Sequence, residues 1–422
     1  MTPNDISNSA TAEAGMSSMD VREVPVSTTD PISVGLLTGG FDRHYATDLT
    51  LALVKGGARV EVIGSDDLDG PEMRTTPALT FLNLHGDRRP NVSAAKRLWR
   101  VLLYYARLLH YAATARPQVF HILWNSKFEL FDRTALMLYY RLLGKKIVLT
   151  AHNVNAAKRD STDSLLNRLT LRMQYRLADH IFVHTDKMKR ELADDFGVRE
   201  AAVTVIRHPV NNSVPNTDLT PADAKLRLGL RKDEKAILFF GSIRPYKGLE
   251  YLVSAFQLLD SHADYRLIIA GEPKKDAEDY LNDILQQASR DCDGGRIIRR
   301  LEFIPDGDTE LYFKAADVLV LPYADIFQSG VLFLAYSFGL PVVATDVGSL
   351  KENIVEGETG FVCQPRDAMH LATTIEAYFN SDLYKTLDRR RSEIEDYAKR
   401  RHSWDAVSEE TRGVYVRLRA AR

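Results

Sequence analysis

Short apolar runs recur along the chain, and each is followed by a longer stretch in which apolar positions return every three or four residues. The first spacing suits buried strands and the second suits helices with one covered face. Starting at Ile32, the pattern predicts strand Ser33 to Leu37, helix Tyr45 to Lys55, and strands Val60 to Ile63 and Leu79 to Leu84. A long helix from about Ala95 to Ala112 follows, then strand Val119 to Leu123, helix Leu130 to Leu143, strand Ile147 to Thr150, helix Leu165 to Leu177, strand Ile181 to His184, helix Lys187 to Asp195 and strand Val203 to Ile206. A second series opens at Ala236, with strands Ile237 to Phe240, Arg266 to Ala270, Ile298 to Phe303, Val318 to Leu321, Pro341 to Ala344 and Gly360 to Val362, again separated by helical stretches. Strands alternating with helices predict parallel, doubly wound sheets.

Pro209, Asn211, Asn212, Pro215, Asn216 and Pro221 interrupt this rhythm between the two series. Such breakers mark a connection. The expected organisation is therefore a disordered tail over 1–30, rich in Ser, Thr, Asn, Asp and Ala, a Rossmann-like domain over 31–208, a linker over 209–233, and a second Rossmann-like domain over 234–380. Two further helices over 381–422, about Leu383 to Lys399 and Ala406 to Leu418, are expected to pack back towards the first domain. Two such domains leave one cleft between them, a favoured place for a ligand.

Composition narrows the classes. With 422 residues, 45% hydrophobic, 27% charged and a formal net charge of -2, the chain reads as a globular protein with no basic excess to suggest nucleic acid. Cys292 and Cys363 lie far apart without C-x-x-C spacing, which fits a reducing compartment, so a cytoplasmic protein is expected. No apolar run of about 18 residues predicts a membrane span.

The stretch from Pro322 to Thr345 holds the chemistry with the clearest physical reason. A strand stops at Pro322, and Ser329 and Gly330 precede an apolar helical run closed by Gly339. Ser329 is expected to cap that helix, and Gly330 leaves its first amides open. Free N–H groups at the positive end of a helix dipole, beyond the carboxyl end of a strand, form an anion site.

Four strings, FFGSIRPYKGLEYL (Phe239 to Leu252), ADVLVLPY (Ala316 to Tyr323), GLPVVATDVGSLKENI (Gly339 to Ile354) and GETGFV (Gly357 to Val362), resemble the C-terminal domain of family 4 retaining glycosyltransferases of the GT-B fold. VLTAHN (Val148 to Asn153) and HSWDAVSEETRGVY (His402 to Tyr415) are similar to other parts of the same family, so the resemblance spans about 32–420. It implies a nucleotide-sugar donor, UDP- or GDP-linked, with no metal, and a hexose-type sugar passed with retention to a glycan or lipid-linked acceptor in cell-surface polysaccharide or glycolipid synthesis. In the mechanism generally described for the family, the departing phosphate helps deprotonate the acceptor on the same face.

Carried residue by residue, the resemblance assigns the diphosphate to the loop from Gly241 to Gly248, through Lys247. The family's usual Arg position is Ser242 here, and Arg244, two residues on, is expected to replace it. Ser329, Gly330 and Val331 keep the backbone-amide role. Phe303 and Ile304 fall where family members read the base through backbone groups. The family's two glutamates, registered on Gly339, are Ile326 and Leu334, neither of which accepts a hydrogen bond; Asp325 and Gln328 stand nearby and are candidates for the sugar hydroxyls. This departure leaves open a second reading, a non-catalytic subunit of the same fold that binds a nucleotide or glycan.

Across the cleft, Gly39 and Gly40 follow the first strand, where a backbone without side chains can approach phosphates or acceptor. His152 and Asn153 end a strand, with His152 a candidate for catalysis; His121, Trp124 and Asn125 end the preceding one, and Lys158 and Arg159 are candidates for an anionic acceptor. A lone histidine at a strand end is also a common structural group. On the helix near Lys96 to Ala112, Arg97, Arg100 and Arg107 share a face with Tyr104 and Tyr111. A solvated stripe on a core helix is the plainer expectation, and peripheral contact with an anionic membrane is the alternative.

Overall fold

The structure, a computed structural model, describes residues 31–40, 42–87, 93–126, 128–159, 162–211, 214–259, 264–274, 277–291 and 295–421, without the side chains of 159 and 287–291. The expected tail over 1–30, Asn212, the side chain of Arg159 and Cys292 lie outside the described residues.

The first sheet contains β1 (Ser33–Leu37), β2 (Arg59–Gly64), β3 (Leu79–Asn83), β4 (Val119–Ile122), β5 (Lys146–Thr150), β6 (His180–Val183) and β7 (Val203–Val205), in the order β3-β2-β1-β4-β5-β6-β7. The second contains β8 (Lys235–Phe240), β9 (Tyr265–Ala270), β10 (Ile297–Arg300), β11 (Val318–Leu321), β12 (Val342–Thr345) and β13 (Gly360–Cys363), in the order β10-β9-β8-β11-β12-β13. All pairings between these strands are parallel. The central strands are buried on both faces, which is why they read as unbroken apolar runs.

Each sheet reverses its strand order once, between β1 and β4 and between β8 and β11. The loops leaving those pairs go to opposite faces and open a crevice past the carboxyl ends. The candidate residues after β1, β4, β8 and β11 therefore flank these two crevices.

Three details depart from expectation. The connecting segment contains a helix, Pro221–Arg227, capped by the Thr220 hydroxyl, which accepts from the Asp223 N–H at 3.1 Å. The helical stretch after β4 is broken by a π-turn, Asp132–Leu136, between Glu129–Phe131 and Met137–Leu142. In the helix Ala94–Thr114 the tyrosines are turned inward: Tyr111 donates to Glu61 at 2.9 Å and Tyr105 to Asp132 at 2.8 Å, while Leu98, Trp99 and Leu102 are exposed. Tyrosine fills a core once its hydroxyl finds a partner, so the Arg–Tyr stripe is not a single solvated face.

The last helix, Trp404–Ala420, packs on the helix Arg43–Lys55 of the first domain, with Ser408 donating to the Ala52 carbonyl at 2.8 Å. The residues before it hold the connection: the Val210 N–H donates to the His402 carbonyl at 3.1 Å, and the Trp404 indole N–H to the Val210 carbonyl at 2.9 Å.

Candidate functional site

β8 and β11 are neighbours, so the loops 241–248 and 322–329 leave the second sheet side by side. Gly248 sits at φ 65°, where a Cβ would come within 2.1 Å of the Pro322 carbonyl oxygen; only glycine lets these backbones touch. The Ala324 N–H then donates to the Tyr246 carbonyl at 2.8 Å, locking one loop to the other. Gly241, at φ 100°, marks the centre of the site: a Cβ there would lie 3.2 Å from Lys247 Nζ and 3.6 Å from Val331 Cγ2. The lysine and the helix start are thus within a few ångströms of one backbone position.

Lys247 is 7% exposed, and no carboxylate lies within ion-pair distance of it among the described residues. Burial, then the charges of Arg244 and Lys274, push its pKa down to about 8. Lys274 was not foreseen from the sequence. It follows β9, tied in by its own N–H donating to the Ile243 carbonyl at 3.3 Å, and its ammonium pairs with Glu272 at 3.2 Å. The rule that singled out the loops after β8 and β11 applies equally after β9 and would have found it. Three cations with a single carboxylate among them favour an anion.

The helix Gly330–Ser337 begins beside this cluster. Ser329 stands at its N-cap position but does not cap it. Its hydroxyl lies 3.3 Å from the Tyr323 hydroxyl, so the expected side-chain cap is absent and the amides of Gly330 and Val331 have no acceptor among the described residues. A Cβ on Gly330 would meet nothing within 4 Å.

The two positions where the family places glutamate belong to the core. Ile326 and Leu334 are each 8% exposed and pack in the cluster around the second sheet, where an uncompensated carboxylate would be costly. Gln328 is half-buried with its Oε1 unpartnered, and Asp325 is exposed; Phe327, between them, packs on the core of the first domain.

On the first-domain side, Gly39 at φ 60° is needed for packing, since a Cβ would come within 2.5 Å of the Trp124 carbonyl oxygen. Gly40 faces the cleft cavity described below. Trp124 lies flat on His152, ring centres 4.2 Å apart and planes 4° apart. His152 is held neutral, its pKa well below the ordinary histidine value, by burial and then by His184, His208 and His121. Its Nδ1 is 3.0 Å from His184 Nε2, and its Nε2 has no partner among the described residues. Asn153 is exposed.

Two expected acceptor-side residues are held by partners within the fold. His121 is fully buried, with Nδ1 2.6 Å from the Tyr415 hydroxyl and Nε2 2.7 Å from the Thr150 hydroxyl; β4 turns it into the sheet under the last helix, and burial drives its pKa down to about 3. Asn125 exchanges amide hydrogen bonds with Gln174 at 3.0 and 3.3 Å. Lys158 is exposed and pairs with Asp195 at 3.4 Å.

A cavity of about 890 Å³ spans the two domains, lined by Thr38, Gly40 and Ser65 on one side and by Phe303, Pro305 and Asp306 on the other. Phe303 is 70% exposed, in the loop after β10, which ends at Arg300, earlier than expected; Ile304, next to it, is half-buried. Asp306 reaches across to Arg43 and, at 3.1 Å, to His44 Nε2, closing that end of the cleft.

Residues 42–214 match the family described as Glycosyltransferase Family 4, and residues 234–381 match Glycosyl transferases group 1. The chain belongs to the family 4 glycosyltransferases. An uncharacterized glycosyltransferase of Methanocaldococcus jannaschii is 28% identical over 236 residues, 54% of this chain and 57% of that protein, so the match spans little more than half its length. The D-inositol 3-phosphate glycosyltransferase of Corynebacterium glutamicum is 22% identical over 393 residues, 90% of this chain and 91% of that one. Among solved structures, Anabaena HepE in complex with UDP-glucose superimposes with a TM-score of 0.70 at 16% identity, covering 91% of this chain and 100% of that one. This family 4 enzyme therefore has the GT-B fold, and the candidate site lies where two Rossmann-like sheets face each other.

Proposed function

We propose that the protein is a retaining glycosyltransferase that moves a hexose-type sugar from a nucleoside diphosphate to a glycan or lipid-linked acceptor of cell-surface polysaccharide or glycolipid synthesis. The observation that carries this is the buried Lys247 ammonium, without a counter-ion among the described residues, near the helix start where the amides of Gly330 and Val331 are open. Departure of a sugar leaves charge on the diphosphate, and fixed donors in a dry site stabilise that charge best. Lys247 and Arg244 meet it with charge and the amides with their dipoles, so the reading needs no metal. Phe303 and Gly40 bound the cavity that receives the nucleotide, with Ile304 next to Phe303 in the same loop; Gln328, Asp325 and His152 serve the sugar hydroxyls. HepE, seen with UDP-glucose, favours a UDP-sugar.

A panel of nucleotides tested by thermal shift checks the donor. The right diphosphate at about 100 times its dissociation constant stabilises the protein by roughly 2.7 kcal/mol, and the matching nucleotide sugar is expected to turn over with retention at the anomeric carbon. Binding without turnover for every sugar offered would favour the non-catalytic subunit instead.

Exposed side chains bear on where the acceptor lies. No helix among the described residues is long and apolar enough to cross a membrane. Yet Leu98, Trp99 and Leu102, then Leu138 and Leu142, then Leu165, Leu166 and Leu169 are exposed on three helices of the first domain, with Leu165 at 85%. Lys96, Arg107, Arg172 and Arg176 lie on the same helices. Apolar side chains among cations suit the headgroup region of an anionic bilayer. The protein is expected to bind anionic vesicles, weaker at high salt and weaker again in the double variant Trp99→Ser, Leu165→Ser. Absence of salt-sensitive binding to anionic vesicles would rule the contact out.

A further inference from the structure

The hydrogen bonds around His152 determine which of its nitrogens carries the proton. His184 Nδ1 lies 3.2 Å from the carbonyl oxygen of Ile206. A carbonyl can only accept, so His184 carries its proton on Nδ1, and in the neutral ring Nε2 is a lone-pair acceptor. His152 Nδ1, 3.0 Å from that Nε2, must then donate. A neutral His152 protonated on Nδ1 has a bare lone pair on Nε2, and that atom is buried without a partner among the described residues. An unmet acceptor at a buried position costs free energy until a donor arrives.

We propose that His184 is a positioning residue: it fixes His152 in the Nδ1–H form, so that His152 Nε2 accepts a hydrogen bond from a hydroxyl of the transferred sugar or of the acceptor. The second half rests on the functional reading above; the tautomer does not.

The surroundings agree from every side. Trp124 covers one face of His152, and Tyr45 meets it edge-on at 4.8 Å between ring centres. His184 and His208 lie beyond, their rings 5.2 Å apart, and His208 stacks on Phe333 of the helix Gly330–Ser337 at 4.9 Å. Asp42 is the nearby acid, felt by His208 and Tyr45; among the described residues no carboxylate bonds to His152 or His184. Burial holds both rings below the ordinary histidine range, that of His184 at about 3, so neither is an imidazolium at neutral pH. His152 is thereby an acceptor and not an acid. The pairing follows from register: Thr150 pairs with Phe182 across β5 and β6, so the residues two further on, His152 and His184, leave the sheet abreast.

The tautomer is read directly by histidine-selective 15N NMR of the full chain, without substrate, using His152→Asn and His184→Gln to assign the signals. At pH 7, His152 is expected to show a protonated, pyrrole-type Nδ1 and a bare, pyridine-type Nε2. A protonated Nε2 would overturn the relay even if the enzyme proves active. The kinetic arm compares His184→Phe, which keeps a ring but offers no acceptor, with His184→Gln, whose carbonyl oxygen can stand where Nε2 was. His184→Phe is expected to lose on the order of tenfold in kcat/KM, the scale of one hydrogen bond, and His184→Gln to recover most of it; equal loss in both would overturn the positioning role. Measured without acceptor, slowed hydrolysis of the nucleotide sugar in His184→Phe assigns the hydroxyl to the donor sugar, and unchanged hydrolysis with slowed transfer assigns it to the acceptor. Failure of every nucleotide to bind, with the NMR result intact, would overturn the functional reading and leave the relay standing.

Discussion

Lys247→Met is expected to lower donor-dependent kcat/KM by at least 10²-fold while raising the thermal stability of the unliganded protein. The activity loss is the effect of removing one charge that meets the leaving diphosphate, on the order of 3 kcal/mol. The stability gain follows from linkage. An ordinary lysine titrates near 10.4, whereas Lys247 titrates at about 8 because it is buried beside Arg244 and Lys274. Between those values the unfolded chain holds the proton more tightly than the folded one, so stability rises as pH climbs from about 8 to about 10, and below pH 8 the buried charge carries its full cost. By the size of the shift that cost is about 3 kcal/mol. The nearest compensating contact, the Tyr323 ring at 5.7 Å, offers roughly 0.5–1 kcal/mol, too little to cancel it. Methionine fills much of the same volume without the charge. A differential scanning measurement at pH 7 tests this: a melt lower than that of the wild type would mean that Lys247 serves the fold, and the site assignment would fall. Donor affinity in the wild type is expected to weaken as pH rises through 8 and the ammonium is lost.

The strands were legible because burial on both faces of a parallel sheet leaves them apolar from end to end, as in Val318–Leu321 and Val342–Thr345. The loops after β8 and β11 were legible for a related reason: a strand end, a glycine and a polar residue in sequence have few other uses. What could not be read depends on contacts between distant segments. His121 lies inside β4 and His152 two residues beyond β5, but what fixes their roles is distant: His121 is sealed by Tyr415, 294 residues away, while His152 is paired with a second histidine by strand register. The inward turn of Tyr104, Tyr105 and Tyr111 likewise depends on partners at Ser126, Asp132 and Glu61. Ser329 has the residue type of a helix cap, but the Tyr323 hydroxyl, six positions earlier, draws it away. The absent glutamates at Ile326 and Leu334 were visible at once; that both positions face a packed core was not.

Gly330→Asp is expected to abolish nucleotide diphosphate binding without harming the fold, whereas Gly330→Ala is expected to leave binding nearly intact. The position has no positive φ and open space where a Cβ would go, so neither side chain strains the backbone. At the first turn of a helix an aspartate is favourable by roughly 0.3–1 kcal/mol through the helix dipole, and replacing glycine in a helix adds about 0.3 kcal/mol more for aspartate and up to about 1 kcal/mol for alanine. The Asp variant should therefore melt at or above the wild-type temperature. The same carboxylate occupies the place proposed for the phosphate: it takes up the open amides of Gly330 and Val331 and neutralises Lys247, whose ammonium lies close to Val331 through Gly241. A diphosphate then meets repulsion where it had met three donors, and a loss of 10²-fold or more in affinity is expected. Alanine adds a methyl group without the charge, so the difference between the two variants isolates electrostatics from bulk. If calorimetric titration gave the aspartate and alanine variants the same affinity, the helix start would not be the phosphate site, and the leaving group would have to be held elsewhere in the cleft.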